Sequence, residues 1–118
     1  MKILILEDNL ERIDKIEQLY KNQELFIFDN VIDAFNTCKK LDFNVMLLDH
    51  DFGGQIWVDS NKENTGYQFL KMLIEKQLQK DALYYIHSTN PIGANKMLNL
   101  LLDNGYDGIW HPYYLWRI

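Results

Sequence analysis

Acidic and imidazole side chains follow four of the five apolar segments that this sequence offers as buried strands. These side chains are Glu7-Asp8, Asp49-His50-Asp51, His87 and His111. In an open parallel sheet the carboxyl ends of the strands lie along one edge, and ligands bind in the crevice there. Carboxylates bind metal ions, and imidazoles transfer protons near neutral pH. The pattern therefore predicts one site that is assembled from distant segments of the chain.

The acidic side chains favour a divalent cation. Asp8, Asp49 and Asp51, with Glu7 beside them, would crowd negative charges that raise each other's pKa unless a cation is bound. All-oxygen ligation favours Mg²⁺ or Mn²⁺, which we expect as the cofactor, whereas direct imidazole ligation favours Mn²⁺, Zn²⁺ or Fe. Alternatively, Asp8 and Asp51 only cap the start of a helix or a loop. We predict the whole set as metal ligands.

The histidines suit proton transfer to and from oxygen. His87 and His111 follow neighbouring strands and form a candidate acid–base pair. His50 points away from Asp49 if the strand continues, so it either supports the metal ligands or packs beneath the following loop. A single histidine is more often structural, but three near one edge favour a function. We predict His87, His111, Asp49 and His50 as catalytic residues.

A helix N-terminus adds a binding site for an anion. The segment Ser88-Thr89-Asn90-Pro91 joins a strand to a helix whose free N–H groups and dipole attract negative charge. We predict Ser88, Thr89 and Asn90 as phosphate-binding residues. Asn90 is equally a plain N-cap, and the two roles are compatible.

Strand-like and helix-like segments alternate along the chain. The apolar strand segments are KILIL, ELFIF, NVMLLD, LYYIH and DGIWH, at 2–6, 24–28, 44–49, 83–87 and 107–111. Asn9, Asn30, Thr65 and Asn90 each precede an apolar stripe at helical spacing, and Thr65 with Gln68 predicts a capping box. Five strands with helical crossovers predict a doubly wound α/β fold, in which helices cover both faces of a five-stranded parallel sheet.

Composition excludes several functional classes. The chain has 118 residues, 47% of them hydrophobic, and a net charge of -5, which argues against a broad nucleic-acid-binding surface. No apolar run approaches the length of a membrane span, and no secretion signal precedes the first strand. The single cysteine, Cys38, is expected to be reduced, which is typical of a cytoplasmic protein.

The residues at the strand ends resemble those of the receiver domains of two-component signalling, over essentially the whole chain. The resemblance predicts a single receiver-like domain over 1–118, with strand order 2-1-3-4-5 and a missing or truncated last helix. It gives Glu7-Asp8 as the magnesium-binding acidic pair, Asp49 as the phosphorylated aspartate and Ser88 as the switch hydroxyl. His111-Pro112 occupies the position of a lysine that contacts the phosphoryl group.

The departures from receivers point to a particular offshoot. His111 replaces the lysine, His50-Asp51 follows Asp49, His87 ends the fourth strand, and a long loop precedes Thr65. With the stretches LEDN, LLDHD and IHSTNPIGANKM, the chain resembles the cyclic-phosphate processing receiver domain. That resemblance implies the handling of cyclic phosphates, for example at RNA ends during repair.

Three functions follow as hypotheses. The leading one is a hydrolase of the phosphodiesterase type that opens a cyclic phosphate, either a 2′,3′-cyclic RNA end or a cyclic nucleotide. The first alternative is an atypical response-regulator receiver that is phosphorylated on Asp49. The second is a non-enzymatic module that binds cyclic nucleotides. The expected partner is a small phosphorylated ligand or an RNA end, with no membrane.

Two further segments have open roles. In the loop 52–64, Trp57 either stacks on a base or anchors the loop, and Lys62 is a candidate for the missing phosphate-facing cation. The aromatic tail 113–116 either covers the edge of the core or contacts a partner, in which case a homodimer is expected.

Overall fold

The computed structural model of the chain describes residues 1–51, 59–62 and 64–115. Five strands lie in these ranges, β1 (Lys2–Leu6), β2 (Glu24–Phe28), β3 (Val45–Leu48), β4 (Leu83–Ile86) and β5 (Asp107–Trp110). The helices between them are α1 (Leu10–Leu19), α2 (Val31–Cys38), α3 (Gly66–Glu75) and α4 (Pro91–Asp103). A short 3-10 turn, Tyr113–Leu115, follows β5. Within the described ranges no helix combines the length and the apolar character needed to cross a membrane.

The strands form a single parallel sheet in the order β2-β1-β3-β4-β5. Leu6 at the end of β1 lies beside Leu48 at the end of β3, which in turn lies beside Ile86. Ile86 lies beside Trp110 at the end of β5. The predicted fold and strand order are confirmed, and the four strands that carry the predicted site all end at the same level.

Each helix begins at the residue that the sequence predicted as its N-cap. The side-chain oxygens of Asn9, Asn30, Thr65 and Asn90 each accept a hydrogen bond from the backbone N–H three residues later. The capping box at Thr65 forms only in part. Gln68 donates its side-chain amide to the carbonyl of Ser60 at 2.8 Å.

The two faces of the sheet are covered unequally. Helices α2, α3 and α4 pack on one face over the larger core, whose members include Leu4, Met46 and Phe69. The second core lies under α1 and is small; its buried members are Ile3, Ile5, Ile16, Val45 and Leu47. Among the described helices, α1 alone contributes to this second core. As a result, Leu83 of β4 and Ile109 of β5 remain 42% and 51% exposed.

Candidate functional site

Four residues extend their strands by one position beyond the last residues that are paired in the sheet. The backbone N–H groups of Glu7, Asp49, His87 and His111 donate to the last residue of β2, β1, β3 and β4, at 2.8 to 3.0 Å. These residues therefore keep the alternation of a strand. They share the face that carries α1, because Ile5, two positions before Glu7, belongs to the core under that helix. We call Glu7, Asp49, His87 and His111 the edge row.

Three members of the edge row form a buried cluster. Glu7, Asp49 and His87 are 0%, 4% and 1% exposed. Each offers one metal-ligand atom, and these atoms all lie within 4.8 Å of one another. Nε2 of His87 lies 2.8 Å from Oε1 of Glu7. His111 is exposed at the adjacent end of β5.

The surroundings of Glu7 keep it ionised. Its Oε2 accepts hydrogen bonds from the backbone N–H groups of Asp8 and Asn9, at 3.0 and 3.1 Å. Burial alone would raise the pKa of Glu7. The hydrogen bond and charge of His87 outweigh that effect, together with the Asn9 N–H and the charge of Arg12, and the pKa is lowered. Glu7 is therefore a carboxylate at neutral pH.

The pKa of Asp49 is shifted in the opposite direction to that of Glu7. Its Oδ1 accepts a hydrogen bond from the backbone N–H of His50 at 2.8 Å. Burial raises the pKa of Asp49 to about 6; the charge of His87 opposes this increase, whereas that of Glu7 adds to it. At neutral pH this carboxylate is charged but poorly compensated, which is the condition under which a bound cation stabilises a site.

Arg12 in the first turn of α1 is a site residue that our sequence analysis missed. Its Nη1 lies 3.6 Å from Oε1 of Glu7 and 3.8 Å from Oδ2 of Asp49. Its guanidinium also stacks over the ring of Tyr113, 4.7 Å from the centroid. The available signal was its position three residues after the N-cap of a helix that begins at the same edge. Lys62, which we suggested as the cation, is exposed in the loop.

His50 and Asp51 lie away from the buried cluster. The ring of His50 is fully buried on the α4 side, where a Cβ added to Gly93 would lie 2.6 Å from it. Its Nδ1 lies 2.6 Å from Oδ1 of Asp51, and its Nε2 lies 2.8 Å from Oγ of Ser60. Because a carboxylate accepts hydrogen bonds, Nδ1 carries the proton. The Ser60–His50–Asp51 chain ties the loop before α3 to the end of β3.

Gly66 holds the start of α3 against the end of β3. Its N–H donates to the carbonyl of His50 at 3.1 Å. A side chain there would collide with the carbonyl oxygen of Asp49. The backbone that follows the side chain of Asp49 is therefore held against the start of α3.

Asp8 is half-buried and lies outside the three-residue cluster. Together with Glu7 it lines a cavity of about 320 Å³, whose wall also includes Asp29, Asn30 and Asp33. Of the four predicted metal ligands, the structure brings Glu7 and Asp49 together with His87, and Asp8 and Asp51 are not members of this group.

The predicted phosphate-binding segment is held by internal hydrogen bonds. Oγ of buried Ser88 accepts from the N–H of Asn90 at 3.1 Å, and the indole of Trp110 donates to the Ser88 carbonyl at 2.9 Å. Asn90 caps α4 and is 3% exposed, whereas Thr89 is exposed. Only Thr89 therefore presents its side chain to solvent. Trp57 and Trp116, whose roles we left open, lie outside the described residues.

The donor chemistry of the cluster fits a divalent cation. Two carboxylates and one imidazole converge in a buried space, with the raised pKa of Asp49 marking incomplete charge compensation. Because an imidazole joins the two carboxylates, the set corresponds to the alternative of direct imidazole ligation, which favours Mn²⁺, Zn²⁺ or Fe; Mn²⁺ suits both alternatives.

The sheet order and the edge row are those of a receiver-like domain. A CheY-like response regulator receiver domain from Methylobacillus flagellatus has a TM-score of 0.68 at 13% identity, covering 96% of this chain and 86% of that one. The non-phosphorylated HemR receiver domain from Leptospira biflexa also has a TM-score of 0.68, at 14% identity, covering 95% and 81%. For the Vibrio cholerae chemotaxis protein CheY4 the TM-score is 0.64 at 17% identity, covering 95% and 85%. At these identities the likeness shows the fold alone.

A comparison with protein-family models identifies the family within the receiver-like domains. The model described as the cyclic-phosphate processing receiver domain matches residues 3–103, and the chain belongs to that family. The resemblance that the sequence suggested is thereby confirmed. The comparison with curated proteins found no match.

Proposed function

We propose that this protein is a metal-assisted phosphodiesterase that opens a cyclic phosphate. The observation that supports this function best is the edge row. Two carboxylates and two imidazoles follow four adjacent strands on one face, and their backbone is fixed by the sheet. Because the row joins acidic metal-binding groups to proton-transfer groups, it suits hydrolysis better than the binding of an intact anion.

Glu7, Asp49 and His87 are the residues that would hold the cation. A bound divalent cation would supply Lewis-acid polarisation of the phosphoryl group. The lowered pKa of Glu7 keeps one ligand charged in the metal-free protein. The hydrogen bond between Nε2 of His87 and Glu7 holds the two side chains together in the metal-free protein, and a cation bound through Nε2 would replace the proton of this bond.

Arg12 would face the phosphate. Its distances of 3.6 and 3.8 Å to the two carboxylates exceed the 2.7 to 2.9 Å of a direct charged hydrogen bond. Stacking on Tyr113 holds the guanidinium beside the site without committing its N–H groups to either acid. These groups are therefore available to a phosphoryl oxygen.

His111 would carry the proton. Opening the ring forms one P–O bond from water and breaks one P–O bond to the sugar, while one proton moves from the water to the departing oxygen. His111 is exposed beside His87, and an imidazole gives and takes protons near neutral pH. An exposed proton carrier also exchanges readily with solvent between turnovers.

The test uses protein stripped with a chelator and reloaded with Mn²⁺, Mg²⁺ or Zn²⁺. Purified protein is incubated with 2′,3′-cyclic mononucleotides and with oligonucleotides ending in a cyclic phosphate, and the products are followed by ³¹P NMR. We expect turnover that falls at least about 100-fold in Asp49→Asn and in His111→Asn. Asp103→Asn, an exposed change on α4, is the matched control. Equal rates in wild type and Asp49→Asn with every metal would end the proposal.

A second candidate function is phosphorylation of Asp49, because this carboxylate directly follows β3 in a chain of the receiver-like family. Incubation with acetyl phosphate, followed by mass spectrometry of wild type and Asp49→Asn, separates the two functions. A phosphoryl adduct that depends on Asp49, with no hydrolysis of any cyclic phosphate, would favour this second function.

A further inference from the structure

A cavity of about 430 Å³ lies on the α1 face of the sheet and reaches the edge row. At the carboxyl ends of the strands its wall contains His87 and His111, which also belong to the edge row. Further from this end, the wall includes Leu47 and Tyr85 from the strands and Tyr20 from the end of α1. The cavity and the cluster therefore share His87, so a ligand in the cavity would lie beside the cluster.

The cavity lies where the described helices leave this face of the sheet uncovered. Helix α1 packs over β1 and β3, where the buried members of the second core lie. Leu19 and Leu115 stand at the mouth of the cavity, 40% and 46% exposed. Its volume lies within the range of sites that bind small molecules, roughly 300 to 1,000 Å³.

Two phenol rings distinguish this cavity from a purely apolar groove. Tyr20 and Tyr85 are both half-buried and pack against the second core. Both rings line the same cavity. Such walls offer flat faces for stacking and hydroxyl groups for hydrogen bonds.

The spacing along β4 relates the cavity to the cluster. Tyr85 precedes His87 by two residues on the same face, which corresponds to a rise of roughly 7 Å. One ribose ring spans a comparable distance between its phosphate and its base. A nucleotide whose phosphate lies at the edge row would therefore place its base at the level of the two tyrosines.

We infer that this cavity is a nucleobase subsite and that the ligand is a nucleoside cyclic phosphate or the terminal nucleotide of an RNA. The inference rests on the proposed function, because it assumes that the phosphate lies at the edge row. It adds that the base is recognised by stacking on the α1 face. A base-free cyclic phosphate would leave the aromatic walls without a partner and would bind weakly.

The wall chemistry favours a heterocycle over an acyl chain. Aromatic rings stack on the flat face of a planar heterocycle, which an acyl chain does not offer. Stacking of a base on an aromatic side chain increases affinity by about ten- to a hundredfold.

The experiment compares adenosine 2′,3′-cyclic phosphate with methyl riboside 2′,3′-cyclic phosphate, which has the same sugar and phosphate but no base. Binding is measured by calorimetry and turnover by ³¹P NMR, with the Mn²⁺-loaded protein. We expect the base-containing probe to bind at least tenfold more tightly. Tyr85→Leu and Tyr20→Leu should reduce this preference to less than threefold, whereas Tyr85→Phe, which keeps the ring, should retain it. Tyr67→Leu, at a half-buried tyrosine of α3, is the control.

Each outcome separates this inference from the proposed function. Turnover of both probes with equal KM would overturn the base subsite and leave the phosphodiesterase function standing. A base-dependent affinity that is lost in Tyr85→Leu, without turnover of either probe, would support the subsite and refute hydrolysis. Retention of the preference in both leucine variants would place the base elsewhere and overturn the inference.

Discussion

Nε2 of His87 lies 2.8 Å from Oε1 of Glu7, and both side chains are almost completely buried. The pair joins β4 to β1 across the intervening β3. It thus links the two strands that flank Asp49 and orients two of the three groups of the cluster.

Loss of one partner should destabilise the protein. We expect His87→Ala to lower the free energy of unfolding by about 3 kcal/mol, because it removes the hydrogen-bonded partner of a buried carboxylate. Adding Glu7→Gln to that variant should cost less than the sum of the single changes. Urea unfolding of the four proteins measures the coupling, and strict additivity would show that the contact contributes nothing.

The raised pKa of Asp49 predicts the pH dependence of stability in the metal-free protein. In the folded protein this pKa is about 6, against an ordinary value of 3.8. The folded state therefore binds more protons than the unfolded state between these values. Stability should fall as pH rises through that window, by about 3 kcal/mol in all.

The variant Asp49→Asn isolates this effect, since its amide oxygen can still accept the His50 N–H. We expect it to be more stable than wild type at pH 7 in the presence of a chelator. Its remaining pH dependence should have the opposite sign, because the lowered pKa of Glu7 stabilises the folded state above the ordinary pKa and is lost on acidification. Unfolding curves from about pH 3 to pH 7 test both points, and parallel profiles for the two proteins would contradict them.

Metal binding should reverse the cost of the Asp49 charge. Because the cation binds the folded state, saturating Mn²⁺ should stabilise wild type by about 3 kcal/mol at a hundred times its Kd. Asp49→Asn should respond much less. His87→Ala should lose affinity for Mn²⁺ and Zn²⁺ more than for Mg²⁺, since it removes the imidazole. Thermal melts with each metal give the comparison, and an identical response in all three proteins would exclude the cluster as the metal site.

Gly93 is required by the buried ring of His50. A Cβ at this position would lie 2.6 Å from two atoms of the ring, so Gly93→Ala should destabilise the protein by about 1 to 3 kcal/mol. Asn95→Ala, an exposed change on the same helix, should be close to neutral. Combining Gly93→Ala with His50→Ala should cost less than the two single changes together, which denaturant unfolding can measure.

Cys38 should be inert in the native protein. Burial raises the pKa of its thiol to about 12, and the side chain is 2% exposed. Ellman's reagent should therefore leave it unmodified until urea unfolds the chain. Asn95→Cys should add one thiol that reacts at once. Rapid labelling of the wild-type protein would contradict the described packing of α2.

The edge row could be predicted because the sequence itself marks the end of each strand by a change from apolar to polar residues. Apolar runs stop at Glu7, Asp49, His87 and His111, and the parallel sheet places these ends side by side. The alternation of a strand also predicted that His50 points away from Asp49, as the structure shows.

The partners that reach the site from helices and loops could not be predicted in this way. Arg12 lies near two acids only because α1 packs across the ends of β1 and β3, and Ser60 meets His50 only after the loop has folded back. Gln68 follows a capping-box pattern, yet the carbonyl of Ser60 is its acceptor. Each of these contacts depends on tertiary placement that local spacing does not encode.

The amide of every edge-row residue is bonded to the neighbouring strand, so the orientation of each side chain depends on a residue count. Inserting or deleting a single residue within β1, β3, β4 or β5 would turn the corresponding group over to the α2–α4 side. Length changes in the connections beyond the row would carry no such penalty. An engineered or evolved variant that keeps the site must therefore keep the lengths of these strands. Its loops beyond the edge row can change in length.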